Sequence, residues 1–254
     1  MTSTYTPAKL TRCLVIAAVV LLASYAMASP AGPAIYSGQD DGTSNSGPWP
    51  NSAAAQAAFL AAAAGLSPVS TMTFEPPVAL GYYSPITNAG PGVSIALTGP
   101  NFGDGFSGIS TTTFGGLYGF NTTPGGAQWL GFAGGTATFS FTHPTEYFGF
   151  WLTGLQTVFT AQETVAYNGA DGQILNIPIN VSGGAQYFGF TDAGNAFTSV
   201  TINNVATATG TDAWGIDDVS YNGGSTATPE PSSLVLLGSG VLGLAGLVRR
   251  KFIA

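Results

Sequence analysis

Few side chains in this sequence could carry out nucleophilic or acid–base chemistry. Its 254 residues include one cysteine, Cys13, and one histidine, His143, which precedes Pro144 between two predicted strands. A Ser-His-Asp hydrolase would have to use His143 as its base. The G-x-S-x-G segment that presents a nucleophilic serine at a sharp turn is absent from the sequence. We therefore interpret His143 as a surface turn residue.

Paired carboxylates are the remaining route to catalysis, because glycoside hydrolysis needs only two acidic side chains at the right separation. Glu75, Glu146 and Glu163 are the candidates. Solubility at strand edges explains these glutamates equally well, and the middle of the chain has no lysine, arginine or cysteine to assist them. We predict that the protein is not an enzyme, and a secreted glycoside hydrolase is the third-ranked alternative.

The basic residues of the chain all lie at its two ends: Lys9, Arg12, Arg249, Arg250 and Lys251. Eleven of the twelve aspartates and glutamates lie between residues 29 and 228, so the side chains of this part carry a net charge of about −11. Nucleic-acid binding needs clustered lysine and arginine, so we exclude nucleic acid as a partner.

One segment matches the G-x-G-x-x-G pattern of dinucleotide-binding proteins. It covers residues 238–243 and lies inside an apolar stretch, with no strand before it. The pattern requires a strand, a turn and a helix in that order, so we interpret these glycines as small residues of a membrane helix.

The N-terminus has the three parts of a secretory signal peptide. Lys9 and Arg12 precede the apolar run of residues 14–23, and an Ala-x-Ala site ends at Ala28. We predict a signal helix within residues 1–28, with Ala26 and Ala28 forming the site that signal peptidase cleaves. Cleavage removes Cys13, so the mature chain would have no disulfide and no cysteine metal site.

The C-terminus has a second apolar segment. A linker at residues 222–228 leads into Pro229-Glu230-Pro231, and the apolar residues 234–248 are followed by three basic residues. This pattern predicts a short transmembrane helix over residues 234–248, with the basic residues on the cytoplasmic side.

The tail at residues 229–254 resembles the PEP-CTERM sorting domain of Gram-negative bacteria that make exopolysaccharide. By this resemblance an exosortase, a membrane protease-transpeptidase, recognises the tail while the protein sits transiently in the inner membrane. The enzyme then removes the tail as the protein reaches the cell surface or the matrix. The matching residues form the expected sorting motif: Pro229, Glu230, Pro231, Arg249, Arg250 and Lys251.

The exported middle begins with two segments of contrasting composition. Residues 29–50 are rich in Gly, Ser, Pro, Asn and Asp, which is typical of a linker. Residues 51–65 are alanine-rich and predict a short helix with Asn51 or Ser52 as its N-cap and Gly65 as its left-handed stop. We expect the helix to dock on the domain through Phe59 and Leu60.

Residues 71–221 alternate between apolar and polar residues in several short runs that Gly-Gly, Asn-Gly and Asp-Gly turn signals separate. This pattern predicts an all-β sandwich. The sequence Tyr-Phe-Gly-Phe occurs twice, at residues 147–150 and 187–190, and indicates two equivalent strands, each with two phenylalanines on one face.

The order of these elements resembles PEP-CTERM ectodomains and, more loosely, the jelly rolls of carbohydrate-binding modules. Those jelly rolls often open near Phe-Glu and close on Asp-Asp-Val, and their first and last strands often share a structural calcium. By this resemblance Glu75, Asp217 and Asp218 are the candidate calcium ligands. Aspartates at adjacent strand positions point to opposite faces, so at most one of the two would bind calcium. The alternative is that both are solvated or turn-bonded aspartates with no metal.

Aromatic side chains could form a platform for a glycan. Trp49 and Trp129 lie beside Pro- and Gly-rich loops, so we expect them to be exposed and available to polysaccharide, whereas Trp151 and Trp214 are expected in the core. The sequence therefore predicts an exported surface or matrix protein with a structural or adhesive role among exopolysaccharides. The alternative is a carbohydrate-binding module.

Overall fold

The computed structural model describes residues 32–98, 107–111 and 118–224. Helix α1 spans Pro50–Ala63. The twelve strands, in chain order, are β1 Ala34–Asp41, β2 Ser70–Met72, β3 Val93–Thr98, β4 Gly108–Ser110, β5 Trp129–Phe132, β6 Gly135–Thr145, β7 Tyr147–Thr153, β8 Thr160–Tyr167, β9 Ile174–Asn176, β10 Gly184–Thr191, β11 Phe197–Ala206 and β12 Trp214–Tyr221.

The strands form two antiparallel sheets, which confirms the prediction of an all-β sandwich. Sheet A has the order β1-β10-β7-β12-β5-β4, and β2 also pairs with β12; sheet B has the order β3-β6-β11-β8-β9. Their inner faces meet in one apolar core, where for example the rings of Phe139 in sheet B and Phe148 in sheet A lie 5.2 Å apart. Burial of these aromatic faces is the main source of stability in such a sandwich.

The repeated Tyr-Phe-Gly-Phe sequence forms two neighbouring strands of sheet A. In the antiparallel register of β7 and β10, Phe148 is opposite Phe190 and Phe150 is opposite Phe188. All four phenylalanines are buried in the core between the sheets. The prediction that each copy places two phenylalanines on one face is therefore confirmed.

Helix α1 packs on the outer face of sheet A, against strands β1, β10 and β7. Phe59 of the helix is fully buried in a second apolar cluster together with Tyr147, Trp151 and Tyr187, and Leu60 packs against it. Docking through Phe59 and Leu60 is thus confirmed.

The N-terminal half of the domain differs from the sequence prediction in two respects. Residues 34–41 form strand β1, which pairs with β10, where a linker was predicted. The prediction failed because β1 lies at the sheet edge and most of its side chains are partly or fully exposed, so the strand has no strong apolar alternation.

The caps of the helix were also predicted wrongly. Trp49 is the N-cap and makes no side-chain cap; instead Asp40 of β1 accepts hydrogen bonds from the backbone N–H groups of Asn51 (3.1 Å) and Ser52 (2.9 Å). At the other end the cap residue Ala64 is right-handed, and Gly65 does not have a positive φ. The helix is capped by tertiary structure, which local sequence does not reveal.

Within the three described ranges, no helix is long and apolar enough to cross a membrane. The predicted signal helix at residues 1–28 and the predicted transmembrane helix at residues 234–248 lie outside those ranges.

Candidate functional site

The three residues predicted as calcium ligands meet at one loop of the sandwich. Glu75 follows β2, whereas Asp217 and Asp218 lie in β12, the strand with which β2 pairs. All three carboxylates accept hydrogen bonds from the loop of residues 121–128, which precedes β5. We refer to Glu75, Asp217 and Asp218 as the carboxylate cluster.

A bulge in β12 brings both aspartates to the same loop. The register between β12 and β7 shifts between Asp217 and Ser220, and Asp218 has a positive φ of 46°. The hydroxyl of Thr122 contacts Oδ2 of Asp217 and Oδ2 of Asp218, each at 3.1 Å. The expectation that the two aspartates face opposite sides is therefore wrong, because a bulge abolishes the alternation of a regular strand.

Asp217 holds the loop mainly through backbone groups. Its Oδ2 accepts hydrogen bonds from the N–H of Thr122 (2.6 Å) and the N–H of Thr123 (3.2 Å), while its Oδ1 accepts one from the N–H of Asp218 (2.8 Å). Asp218 adds a bond from the Thr123 hydroxyl to Oδ1 at 2.6 Å. The two aspartates thus fix the start of the loop.

Glu75 fixes the other end of the same loop. Its Oε1 accepts hydrogen bonds from the side-chain amide of Asn121 (2.9 Å) and from the backbone N–H groups of Ala127 (2.7 Å) and Gln128 (2.9 Å). Sequence reasoning identified the three carboxylates but missed Asn121, Thr122 and Thr123. These residues occur in a Gly- and Pro-containing loop with no regular pattern.

The carboxylate cluster places three acidic side chains close together, with both aspartates buried and Glu75 half-buried. Burial, followed by the neighbouring charge of Asp218, raises the pKa of Asp217 to about 8, although hydrogen bonds from Thr122 and from the N–H of Asp218 oppose the rise. Burial, and to a lesser extent the charge of Glu75, also raises the pKa of Asp218. Because the sequence has no lysine or arginine between Arg12 and Arg249, no basic side chain of this domain compensates these charges.

The oxygen atoms of the cluster are of the kind that a hard cation binds. In the structure, however, they accept hydrogen bonds from the loop of residues 121–128. Carboxylate and hydroxyl oxygens are the ligands that calcium prefers. However, Glu75 Oε1 and Asp217 Oδ2 are each engaged by three donors, and among the residues described here no group of three or more His, Cys, Asp or Glu side chains is arranged to hold a metal ion. Metal binding would therefore require some of these hydrogen bonds to be exchanged for metal–oxygen contacts.

The glutamates considered for glycoside hydrolysis contact different parts of the domain. Glu75 belongs to the carboxylate cluster, Glu146 accepts a hydrogen bond from the N–H of Gly194, and Glu163 is buried beside Asn204. His143 is exposed in β6 and its Nδ1 contacts the Thr142 hydroxyl at 3.1 Å. No hydrogen bond of the described structure joins any two of these four residues.

The tryptophans differ from expectation in one important case. Trp129 is only 6% exposed, and its ring fills the space beside Gly119 and Gly215, where a Cβ would collide with the indole. The prediction that Trp129 is exposed is therefore wrong, because Gly119 and Gly215 leave room for its ring inside the domain. Trp151 and Trp214 are in the core, as predicted.

Trp49 is half-buried, and its ring stacks on Phe120 with a centroid distance of 5.7 Å. The indole N–H donates to the backbone oxygen of Ser44 at 2.9 Å. An aromatic ring that the sequence did not single out, Tyr82, is 47% exposed and lines a shallow cleft of about 270 Å³ together with Leu80, Gly81, Ile109, Ser110 and Thr111.

Comparison with protein families identifies a PEP-CTERM protein-sorting motif at residues 227–251. The match includes the Pro229-Glu230-Pro231 segment and the three basic residues that end at Lys251. It lies outside the described residues and covers about a tenth of the chain. Comparisons with curated proteins and with solved structures find no match.

Proposed function

We propose that this chain is an exported protein that an exosortase sorts, through its C-terminal tail, to the cell surface or extracellular matrix of a Gram-negative bacterium. There its jelly-roll-like β-sandwich has a structural or adhesive role among exopolysaccharides and no catalytic role. The observation that carries the proposal is the PEP-CTERM motif at residues 227–251, which implies processing by an exosortase.

The distribution of basic residues supports a role in export and sorting for the two ends of the chain, separate from the role of the middle. All five basic residues lie in the two terminal segments, where they flank the apolar runs at residues 14–23 and 234–248. Basic residues beside an apolar segment determine its orientation in the membrane. In this proposal signal peptidase cleaves after Ala28, and the tail retains the domain at the inner membrane until exosortase acts.

A change in the tail tests the sorting step. Replacing Pro229, Glu230 and Pro231 with alanine in the native host should leave the protein unprocessed in the membrane fraction, because the recognition sequence is lost while the apolar segment remains. A matched double-alanine replacement of Ser225 and Thr226, which lie just before the matched segment, should still be processed. Normal processing of the first variant would contradict the proposal.

A carbohydrate-binding module is the second candidate function. Trp129 is buried, so this candidate rests on the exposed Tyr82 and its uncharged cleft, where an aromatic face is open to a sugar ring. Retention of the protein on the host's own exopolysaccharide, lost in Tyr82→Ala and kept in Tyr36→Ala, would support this function. Absence of retention on any matrix glycan would exclude it.

We further propose that calcium binds at the carboxylate cluster in the extracellular protein. Three coupled carboxylates with no basic partner favour a divalent cation, and the hydroxyls of Thr122 and Thr123 provide further oxygen ligands. Calcium would neutralise the cluster and fix the loop of residues 121–128 against β12.

A further inference from the structure

A second buried acidic group lies in sheet B, away from the carboxylate cluster. Glu163 of β8 and Asn204 of β11 are direct cross-strand partners. Glu163 is 1% exposed and Asn204 is 5% exposed. Their neighbours two positions along each strand, Val165 and Ile202, belong to the core, so this polar pair is on the inner face of the sheet.

Only some of the side-chain polar atoms of Glu163 and Asn204 take part in hydrogen bonds. The amide nitrogen of Asn204 donates to Glu163 Oε2 at 2.6 Å and to the Thr160 hydroxyl at 3.2 Å. Both amide protons are then used. Glu163 Oε1 and Asn204 Oδ1 are buried and have no hydrogen-bond partner in the described part of the chain.

The two unpartnered atoms are both acceptors when Glu163 is ionised. The same two side chains are already joined by the hydrogen bond from Asn204 Nδ2 to Glu163 Oε2. A single proton on Glu163 Oε1 turns this arrangement into a ring with two hydrogen bonds, because a carboxylic acid and an amide each offer one donor and one acceptor. One proton therefore satisfies both atoms, whereas burying unpaired polar atoms is unfavourable.

We propose that Glu163 carries a proton at neutral pH and donates it to Asn204 Oδ1, so that the two side chains form a neutral acid–amide pair. The pair acts as a built-in pH-sensitive element of the sandwich, because loss of the proton leaves a buried charge and two unpartnered acceptors.

The charged group that faces this pair agrees with the proposal. Asp212, in the segment before β12, accepts hydrogen bonds from the N–H of Gln156 (2.6 Å) and from the Thr160 hydroxyl (3.4 Å). Burial, followed by the nearby charge of Asp212 and opposed by the bond from Asn204, raises the pKa of Glu163 well above its ordinary value. In the described part of the chain no histidine contacts Glu163, and the sequence has no lysine or arginine between Arg12 and Arg249.

A metal ion explains the two unpartnered oxygens less well than a proton. Calcium takes six to eight oxygen ligands. Asp212 Oδ2 is already engaged by Gln156 and Thr160, so within the described ranges the unpartnered side-chain oxygens at this place are Glu163 Oε1 and Asn204 Oδ1. A proton needs only these two.

Carbon-13 labelling of the glutamate carboxyl groups tests the proposal directly in the full chain in detergent. The chain has only four glutamates, at positions 75, 146, 163 and 230, so each carboxyl signal can be assigned with single glutamine variants. If Glu163→Gln does not fold, the other three variants assign Glu163 by elimination. The Glu163 signal should have the carboxylic-acid shift at pH 7 and should not respond to calcium or EDTA. A carboxylate shift at pH 7, or a response to calcium or EDTA, would overturn the proposal.

A second test compares how the stability of Glu163→Gln and that of the unaltered chain depend on pH. Glutamine reproduces the protonated acid, since its amide can donate to Asn204 Oδ1 and accept from Asn204 Nδ2. As the pH rises from 5 to 8, the denaturant concentration at the unfolding midpoint should fall less for this variant than for the unaltered chain. The matched Glu146→Gln variant should follow the unaltered chain. Equal pH profiles for Glu163→Gln and the unaltered chain would rule out the pH-sensitive element.

Discussion

Gly149 and Gly189 are direct partners on adjacent strands of sheet A, and the ring of Phe59 from helix α1 occupies the space above them. A Cβ on Gly149 would lie 2.8 Å from Cζ of Phe59, and a Cβ on Gly189 would lie 2.7 Å from Cδ2 of the same ring. The glycine of each Tyr-Phe-Gly-Phe copy therefore makes room for the helix, while the phenylalanines on either side fill the core.

Alanine at either glycine should destabilise the domain. We expect Gly149→Ala and Gly189→Ala each to lower the free energy of unfolding by about 1–3 kcal/mol, because the new methyl group overpacks against Phe59 and, at Gly149, also against the Tyr187 hydroxyl. Chemical denaturation of the variants measures this. Gly32→Ala is the control, since a Cβ there meets nothing within 4 Å.

A double variant separates overpacking from other effects. Phe59→Ala alone should cost about 3–5 kcal/mol, as expected for a fully buried aromatic ring. If the ring is what the new methyl group meets, Gly189→Ala should be nearly neutral in the Phe59→Ala background. Fully additive losses would contradict this packing.

The carboxylate of Asp40 should stabilise helix α1 from outside the helix. Asp40→Ala removes the acceptor for the N–H groups of Asn51 and Ser52, and we expect a loss of about 0.5–2 kcal/mol, as for other N-cap deletions. Thermal unfolding followed by far-UV circular dichroism measures it. Asp171→Ala, at an exposed position, should change stability little; an equal loss in both variants would contradict the capping role.

Calcium removal should lower the melting temperature if the carboxylate cluster binds the ion. Adding EDTA to protein from calcium-containing medium should lower Tm, and calcium in excess should restore it, because a ligand that binds only the folded state stabilises it. Asp217→Asn should abolish the calcium response, and Asp171→Asn should preserve it. An unchanged Tm in excess chelator would contradict calcium binding at the carboxylate cluster.

The stability of the calcium-free protein should decrease as the pH rises from about 4 to about 6. Burial is the main reason that the pKa of Asp212 is raised from 3.8 to about 6 in the folded state. In this window the unfolded chain has lost the Asp212 proton and the folded chain still holds it, so the folded state binds more protons and stability falls with pH. The loss from this group amounts to at most about 3 kcal/mol and ends above its folded pKa.

Denaturant unfolding at successive pH values measures this slope. Asp212→Asn should make the slope less steep between pH 4 and pH 6, although Glu163 and Asp217 still contribute to it, and Asp171→Asn should leave the slope unchanged. If the stability of the unaltered chain rises between pH 4 and pH 6, the prediction is contradicted.

The sequence predicted the class of the fold better than its edges. Strands with one buried face, such as β3 and the first half of β6, are predictable because their apolar residues alternate with polar ones. Strand β1 has little such pattern because it is an exposed edge, and β4 and β5 are short and surrounded by glycine. Predicting them requires the partner strands, which local sequence does not provide.

The candidate site shows the same division. The acidic residues at positions 75, 217 and 218 could be selected from the sequence, but their arrangement depends on the positive φ of Asp218 and on Thr122, which lies about 95 residues earlier in the chain. Burial of Trp129 likewise depends on Gly119 and Gly215, which pack against it only in the folded chain. Long-range packing of this kind has no local sequence pattern.

The intact mass of the mature protein from native cells tests the proposed sorting most directly. We expect a species that begins at Ser29 and lacks residues 234–254, because signal peptidase and exosortase remove the two apolar ends. A mature surface species that retains residues 234–251 would contradict it.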